Sequence, residues 1–169
     1  MGQAKKLAEV QNGPIEGWNF GGSVTAENDA QFWNYLKPHI SVAKDCGSNS
    51  DCYQNDGVYQ LNGGSIYADY GHSEYYYKFV LSDGSVMWFR VGNLAWSSNK
   101  CSEENDECAV FWYDVNGNKS PNTFGKDIFI YLIKVNGVYP ILSNECRKNS
   151  LGWGCSGYII KHNNMNYLH

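Results

Sequence analysis

Long hydrophobic runs are missing from this chain. The longest, Ile128 to Ile133, falls far short of the ~18 apolar residues that a membrane span needs. Basic residues are in the minority, with 13 Lys and Arg against 17 Asp and Glu and a net charge of −4. That balance lacks the cationic excess of nucleic-acid binders, so no nucleic-acid partner is expected. Histidine is scarce, and His39, His72, His162 and His169 are scattered. No two cysteines have the CxxC spacing of a zinc ribbon or a thioredoxin-like motif. There is no G-x-S-x-G, no H-E-x-x-H and no phosphate-binding glycine loop. Residues 1–12 lack the apolar centre of a secretory signal.

What the chain does hold is cysteine, in an even number: Cys46, Cys52, Cys101, Cys108, Cys146 and Cys155. Six cysteines allow about fifteen pairings. Proximity favours Cys46–Cys52, Cys101–Cys108 and Cys146–Cys155, each closing a small loop worth roughly 2–3 kcal/mol on the chain-entropy account. Bridges of this kind belong to an oxidising compartment, so the chain reads as exported, with any export signal removed. The competing reading is six buried free thiols.

The 169 residues suit a single domain, 1–169. Residues 3–12 read as a helix, stopped by Asn12, Gly13 and Pro14. Residues 27–37 read as a second helix, with Phe32, Trp33 and Leu36 at helical spacing and Pro38 ending it. After Cys52 the pattern becomes β. Strands are expected over 75–81 and 85–91, joined at Asp83-Gly84 in a hairpin. Further strands are expected over 108–114, 127–135, the VYPI segment after Asn136-Gly137, and 157–162. Helices first and an antiparallel meander afterwards make an α+β fold, with N-terminal helices packed on a sheet.

Candidate chemistry is sparse. Glu103, Glu104, Asp106 and Glu107 crowd the CSEENDEC segment. A glycosidase needs two carboxylates across a cleft, one of them held protonated by burial. Four acids in one short loop read better as a solvated tip, and no enzymatic activity is expected. The chain has 13 Tyr and 6 Trp, which could stack on sugar rings, so a secreted carbohydrate-binding module is the alternative function. In antiparallel sheets such residues more often pack.

The most unusual stretch is DVNGNKSPNTFGKD, Asp114 to Asp127. Asp114, Asn116 and Asn118 follow D-x-N-x-N, like the first half of an oxygen-ligand calcium loop. Asp127 would complete a candidate metal set of Asp114, Asn116, Asn118 and Asp127, and Ser120 and Asn122 could add oxygens. The position of the usual twelfth-residue Glu holds Gly125. Asx-turns use the same residue types without any metal.

The same stretch, continued as DVNGNKSPNTFGKDIFIYLI, resembles the D-[IV]-N-G-x-K-x-P-N-x-x-G-x-D-x-F segment of bacterial type IV pilin-like proteins. These are the pilins and the type II secretion pseudopilins. The ending CSGYIIKHNNMNYL is similar to the C-x-x-W-I-[IL]-x-x-x-x-M-[DN]-Y-L ending of one subgroup, with Tyr158 where Trp is usual. The start, LAEVQNGPIEGWNF followed by FWNYLKPHISVAKDCG, is similar to that subgroup as well.

This resemblance implies a prepilin with a short leader and an apolar assembly helix, of which residues 3–12 would be the soluble end. Met1-Gly2 looks like an expression start. It implies an inner-membrane anchor through that helix, then a periplasmic or cell-surface filament whose partners are other pilin or pseudopilin subunits. Cys146–Cys155 would close the loop that resembles the disulfide-bounded C-terminal region of pilins. Because some related pseudopilins hold calcium in a loop of the globular domain, the resemblance also makes calcium the candidate cofactor of Asp114–Asp127.

Overall fold

The computed structural model describes every residue except 50–51, 53–56, 67–72, 95–100, 103–105 and 143–145. Helix α1 spans Gly2–Asn12 and α2 spans Ala26–Leu36. Strands follow as β1 (Val42–Gly47), β2 (Val58–Tyr59), β3 (Ser65–Ile66), β4 (Tyr77–Leu81), β5 (Val86–Val91), β6 (Glu107–Asp114), β7 (Ile128–Lys134) and β8 (Gly137–Pro140), and helix α3 is Cys155–His162. The main sheet has the order β1-β4-β5-β6-β7-β8, every neighbour antiparallel, with β2 and β3 as a separate small pair. The α+β fold, N-terminal helices on an antiparallel sheet with disulfide-closed loops, is the one the sequence implied.

The start of α2 and the end of α1 have local causes. Thr25 caps α2, its hydroxyl accepting the Asn28 N–H at 3.2 Å. Gly13 closes α1 at φ 79°, a conformation that costs glycine least, and Pro14 cannot continue the helix. On α2 the predicted stripe is the buried one: Phe32, Trp33 and Leu36 are all at most 1% exposed. Trp33 stacks on Phe79 with ring centroids 4.1 Å apart. Burying an aromatic of this size stabilises by about 3 kcal/mol before cavity effects. α1 turns small residues, Ala4 and Ala8, into the core.

Both faces of the sheet are covered. Phe79, Met87, Phe89, Val91, Ala109, Phe111 and Ile133 face the helices. The alternate positions, Val86, Trp88, Val110, Trp112, Ile128 and Ile130, pack with Val58 of β2 and Phe124 of the β6–β7 loop on the other side. This explains why β5, VMWFRV, is buried at every residue; a strand covered on both sides does not alternate. Lys78 and Arg90 lie on the second face, both 0% exposed. The Lys78 ammonium donates to the carbonyls of Ser48, Ser73 and Tyr76, and Arg90 sits 6.0 Å from the Trp112 ring centre.

One expected strand is a helix. Residues 157–162, read as β from Tyr158, Ile159 and Ile160, belong to α3. Only Cys155, Ser156 and Gly157 are buried there. Ser156 donates its hydroxyl to the Ile130 carbonyl at 2.8 Å, and Gly157 N–H reaches Ile141 O. The Cys146–Cys155 bridge and these two bonds fix the segment's first turn on β7 and the residue after β8, and tertiary anchoring outweighs the weak strand preference of Tyr and Ile.

Candidate functional site

The Asp114–Asp127 loop is built around two buried carboxylates. β6 ends at Asp114 and β7 begins at Ile128, and these two residues are paired in the sheet. Asp114 is 0% exposed, and its Oδ1 accepts the N–H groups of Asn116 (3.1 Å) and Gly117 (3.0 Å). That is the Asx-turn expected from the sequence. Asp127, 4% exposed, holds the other end: its Oδ2 accepts the Asn122 N–H at 2.9 Å and its Oδ1 the Thr123 N–H. Asn116 joins the two, donating its side-chain N–H to Asp127 Oδ2 at 3.0 Å.

The rest of the loop follows from these anchors. Asn122 takes φ 46° and Gly125 φ 79°, so the chain reverses just before β7. Asn122 is also a strut, since its carbonyl accepts from Tyr59 N–H while Phe124 N–H donates to Tyr59 O. Gly117 at φ 63° lies so close to the β4–β5 turn that an added Cβ would strike the Gly84 carbonyl oxygen.

Of the four proposed metal ligands, the structure brings Asp114, Asn116 and Asp127 into one hydrogen-bonded group. Asn118 is exposed, and its side chain donates to the Cys52 carbonyl at 3.3 Å. Four backbone N–H groups and one side-chain amide already occupy carboxylate oxygens. Asn116 Oδ1 is buried with no hydrogen-bond partner among the described residues. One orphaned oxygen is far from the six to eight that calcium takes, and no group of three or more His, Cys, Asp or Glu fit for a metal exists among the described residues. The donor set fits a turn held by backbone amides and does not fit a calcium cage.

The six cysteines pair as Cys46–Cys52, Cys101–Cys108 and Cys146–Cys155, the local arrangement that proximity favoured. The third bridge touches the loop, because Cys155 packs against Gly125, its Sγ 3.0 Å from where a Cβ would stand. Nearby, Tyr167 donates its hydroxyl to the Gly125 carbonyl at 2.6 Å. Burial, with the neighbouring Tyr158 adding to it, pushes the Tyr167 hydroxyl up to about 12. Of the acid-rich CSEENDEC segment, 103–105 lie outside the described residues, while Asp106 and Glu107 are partly exposed beside Lys134.

Sequence reasoning missed one carboxylate altogether. Asp29 of α2 is 0% exposed and accepts the Val91 N–H at 2.6 Å, and its Oδ2 has no partner among the described residues. Burial pushes its pKa up to about 7, against the lowering effects of the Val91 N–H and the positive charges of Arg90 and Lys78. The only signal was its position one turn into a helix, where an acid is ordinarily read as complementing the helix dipole. At the other end of α2, Asp45 accepts from Trp33 Nε1 at 3.0 Å and Lys37 Nζ at 2.7 Å. Burial works to raise the Asp45 pKa, yet hydrogen bonds from Lys37, Trp33 and Tyr77 bring it below the usual carboxylate value. Two carboxylates thus clamp α2 to the sheet, one at each end.

No known family model, curated protein or solved structure matches this chain.

Proposed function

We propose that this chain is a structural subunit of a bacterial type IV pilus or of a type II secretion pseudopilus, acting through assembly and surface contacts. The sequence similarity of three segments supports this reading. The observation that carries it is the two-sidedness of α1. Ala4 and Ala8 are buried against the domain, whereas Leu7 is 44% and Val10 84% exposed on the outer side. A helix that gives one face to its own domain and keeps apolar residues on the other is suited to pack against helices of neighbouring subunits. In this reading an apolar extension of α1 anchors the precursor in the inner membrane. The exported domain then faces outward from a filament, with other pilin or pseudopilin subunits as partners.

The test is incorporation. The natural gene product and its Leu7→Glu/Val10→Glu variant are expressed in the source cell, and sheared filaments and membranes are probed with antibody to this domain. The reading expects the parent in filaments and the variant absent from them, while the isolated domains melt alike. A parent found only as free protein in the medium would remove the reading.

A further inference from the structure

Asp29 takes the place of a missing strand beside β5. β4 begins at Tyr77, opposite Phe89, so Val91, two residues further along β5, lies past the end of β4. The Gly92 N–H that follows points the other way, to the Cys108 carbonyl of β6 at 3.0 Å. On the side that β4 leaves open, the Val91 N–H is met by Asp29 Oδ1 at 2.6 Å. Asp29 and Val91 are both 0% exposed.

This contact fastens more than one residue. Thr25 accepts the Asn28 N–H on its hydroxyl at 3.2 Å and the Asp29 N–H on its carbonyl at 3.0 Å. The Asn28 side chain accepts the Gly21 N–H at 3.0 Å and donates to the Ser23 carbonyl at 2.8 Å. Residues 21–29 thus form one hydrogen-bonded flap, and Asp29 joins it to the sheet. Of the described residues 21–29, Asp29 alone is buried. The flap is bracketed by two fixed aromatics. Before it, Phe20 is buried on Phe32, ring centroids 4.9 Å apart; after it, Trp33 stacks on Phe79 and donates to Asp45.

The joint holds a poorly supplied acid. Asp29 Oδ2 has no hydrogen-bond partner among the described residues. An ionised carboxylate has room for several donors, and a buried charge met by a single N–H is costly. The closed flap therefore favours the protonated carboxyl. The charges that oppose this are Arg90 of β5 and Lys78 of β4, both on the other face of the sheet. On α1, Lys5 is bound to Glu9 and to the Val135 carbonyl. Beyond α2, Lys37 is bound to Asp45 and His39 is half-buried, while Glu27 on α2 itself is exposed.

We propose that Asp29 is a proton-controlled latch, closed on Val91 when its carboxyl is protonated and releasing residues 21–29 when the proton is lost. Phe20 and Trp33 keep their places, so the rest of α2 stays on the sheet. Opening uncovers Val91 and leaves its N–H as a free edge of β5. Burial raises the Asp29 pKa to about 7 in the closed state, against about 3.9 in a solvated chain. Opening therefore grows as pH rises between these values and levels off above the upper one. The latch works within one folded domain and holds whether or not the chain is a filament subunit.

The test is amide hydrogen exchange by NMR on the 15N-labelled chain between about pH 5 and 8, each rate divided by its intrinsic rate at that pH. Val91 and Gly92 are adjacent amides bonded to α2 and to β6 respectively. Unfolding of the whole domain exposes both, whereas the latch exposes Val91 alone. Protection of Val91 is expected to fall about tenfold relative to Gly92 across this range. In Asp29→Asn, whose oxygen still accepts the Val91 N–H, the ratio of the two is expected to be independent of pH. His39 and the Met1 amino group are present in both chains, so the comparison isolates Asp29. A ratio that stays constant with pH in the parent overturns the latch, and that arm needs no variant. Equal loss of protection at both amides overturns it too, because the sheet itself would then be opening. A pH-dependent ratio that persists in Asp29→Asn would assign the opening to another group. Carboxyl 13C shifts of the parent follow Asp29 directly, and ionisation complete below about pH 5 would also overturn the proposal.

Discussion

Asp127 accepts the backbone N–H of Asn122 at 2.9 Å from inside its own loop. With the Thr123 N–H and the Asn116 amide on the same carboxylate, this contact fixes where the chain turns back into β7. Asp127→Ala removes acceptors from two buried backbone donors and one partly buried amide. Hydrogen bonds to a charged group are worth about 1.5–3 kcal/mol each, and buried donors left without partners cost a similar amount. A loss of about 3 kcal/mol or more is expected in urea unfolding. Asp114→Ala, which strands the Asn116 and Gly117 N–H groups, is expected to lose about 2 kcal/mol. Losses below about 0.5 kcal/mol would mean that the loop is held by other contacts.

Calcium is expected to leave this protein's melting unchanged. A cation entering the loop would compete with the N–H donors on Asp114 Oδ1 and on both Asp127 oxygens. Tight binding would be plain, since a hundredfold excess over the dissociation constant stabilises by about 2.7 kcal/mol. Thermal melting in millimolar calcium and in chelator checks this. A higher Tm with calcium, lost in Asp114→Ala, would restore the calcium reading.

Stability should depend on pH through Asp29. Its folded-state pKa is raised to about 7 by burial, against about 3.9 in an unfolded chain. The folded state therefore holds that proton more tightly. The stabilisation is fully present below the unfolded pKa and is lost as pH rises through about 7. Asp45 and Asp83 have lowered pKa values, so their stabilisation is present above the unfolded carboxylate value and is lost as pH falls. The clean comparison is thus parent against Asp29→Asn, whose oxygen can still accept the Val91 N–H. Relative to the variant, the parent is expected to lose stability between pH 4.5 and 7.5. A constant difference between them across that window would show that Asp29 does not titrate there.

Much of the fold was legible because its cues are local. Pro38, Asp83-Gly84 and Asn136-Gly137 mark boundaries by their own chemistry, and the structure ends a helix or turns the chain at each. The Asx-turn at Asp114 was legible for the same reason. α3 was not, because its helical state depends on Ser156 reaching Ile130 and on the Cys146–Cys155 bridge, neither visible in GYIIKH. β1 escaped notice because VAKDCG shows a register shift at two places against β4 and leaves Ala43 and Lys44 exposed, so it carries no regular alternation. Asp29 was hidden because a helical acid is buried or solvated according to what lies opposite, and that is Val91, far along the chain.

The third bridge should matter most for the C-terminal segment. Cys146→Ser/Cys155→Ser is expected to cost about 2–3 kcal/mol. Amide hydrogen exchange should rise in 146–169 before it rises in β4–β7, since the bridge fastens that segment beside Gly125. Non-reducing peptide mapping of the parent should recover the three local bridges and no free thiol. A link between Cys46 and Cys155 would contradict the arrangement.

The subunit reading depends most on what is encoded ahead of Gln3. Sequencing the gene upstream of that codon tests it directly. The account predicts an open reading frame continuing α1 backwards as an apolar helix of about 20 residues, preceded by a short leader. An ordinary cleaved signal peptide running straight into Gln3 would contradict it.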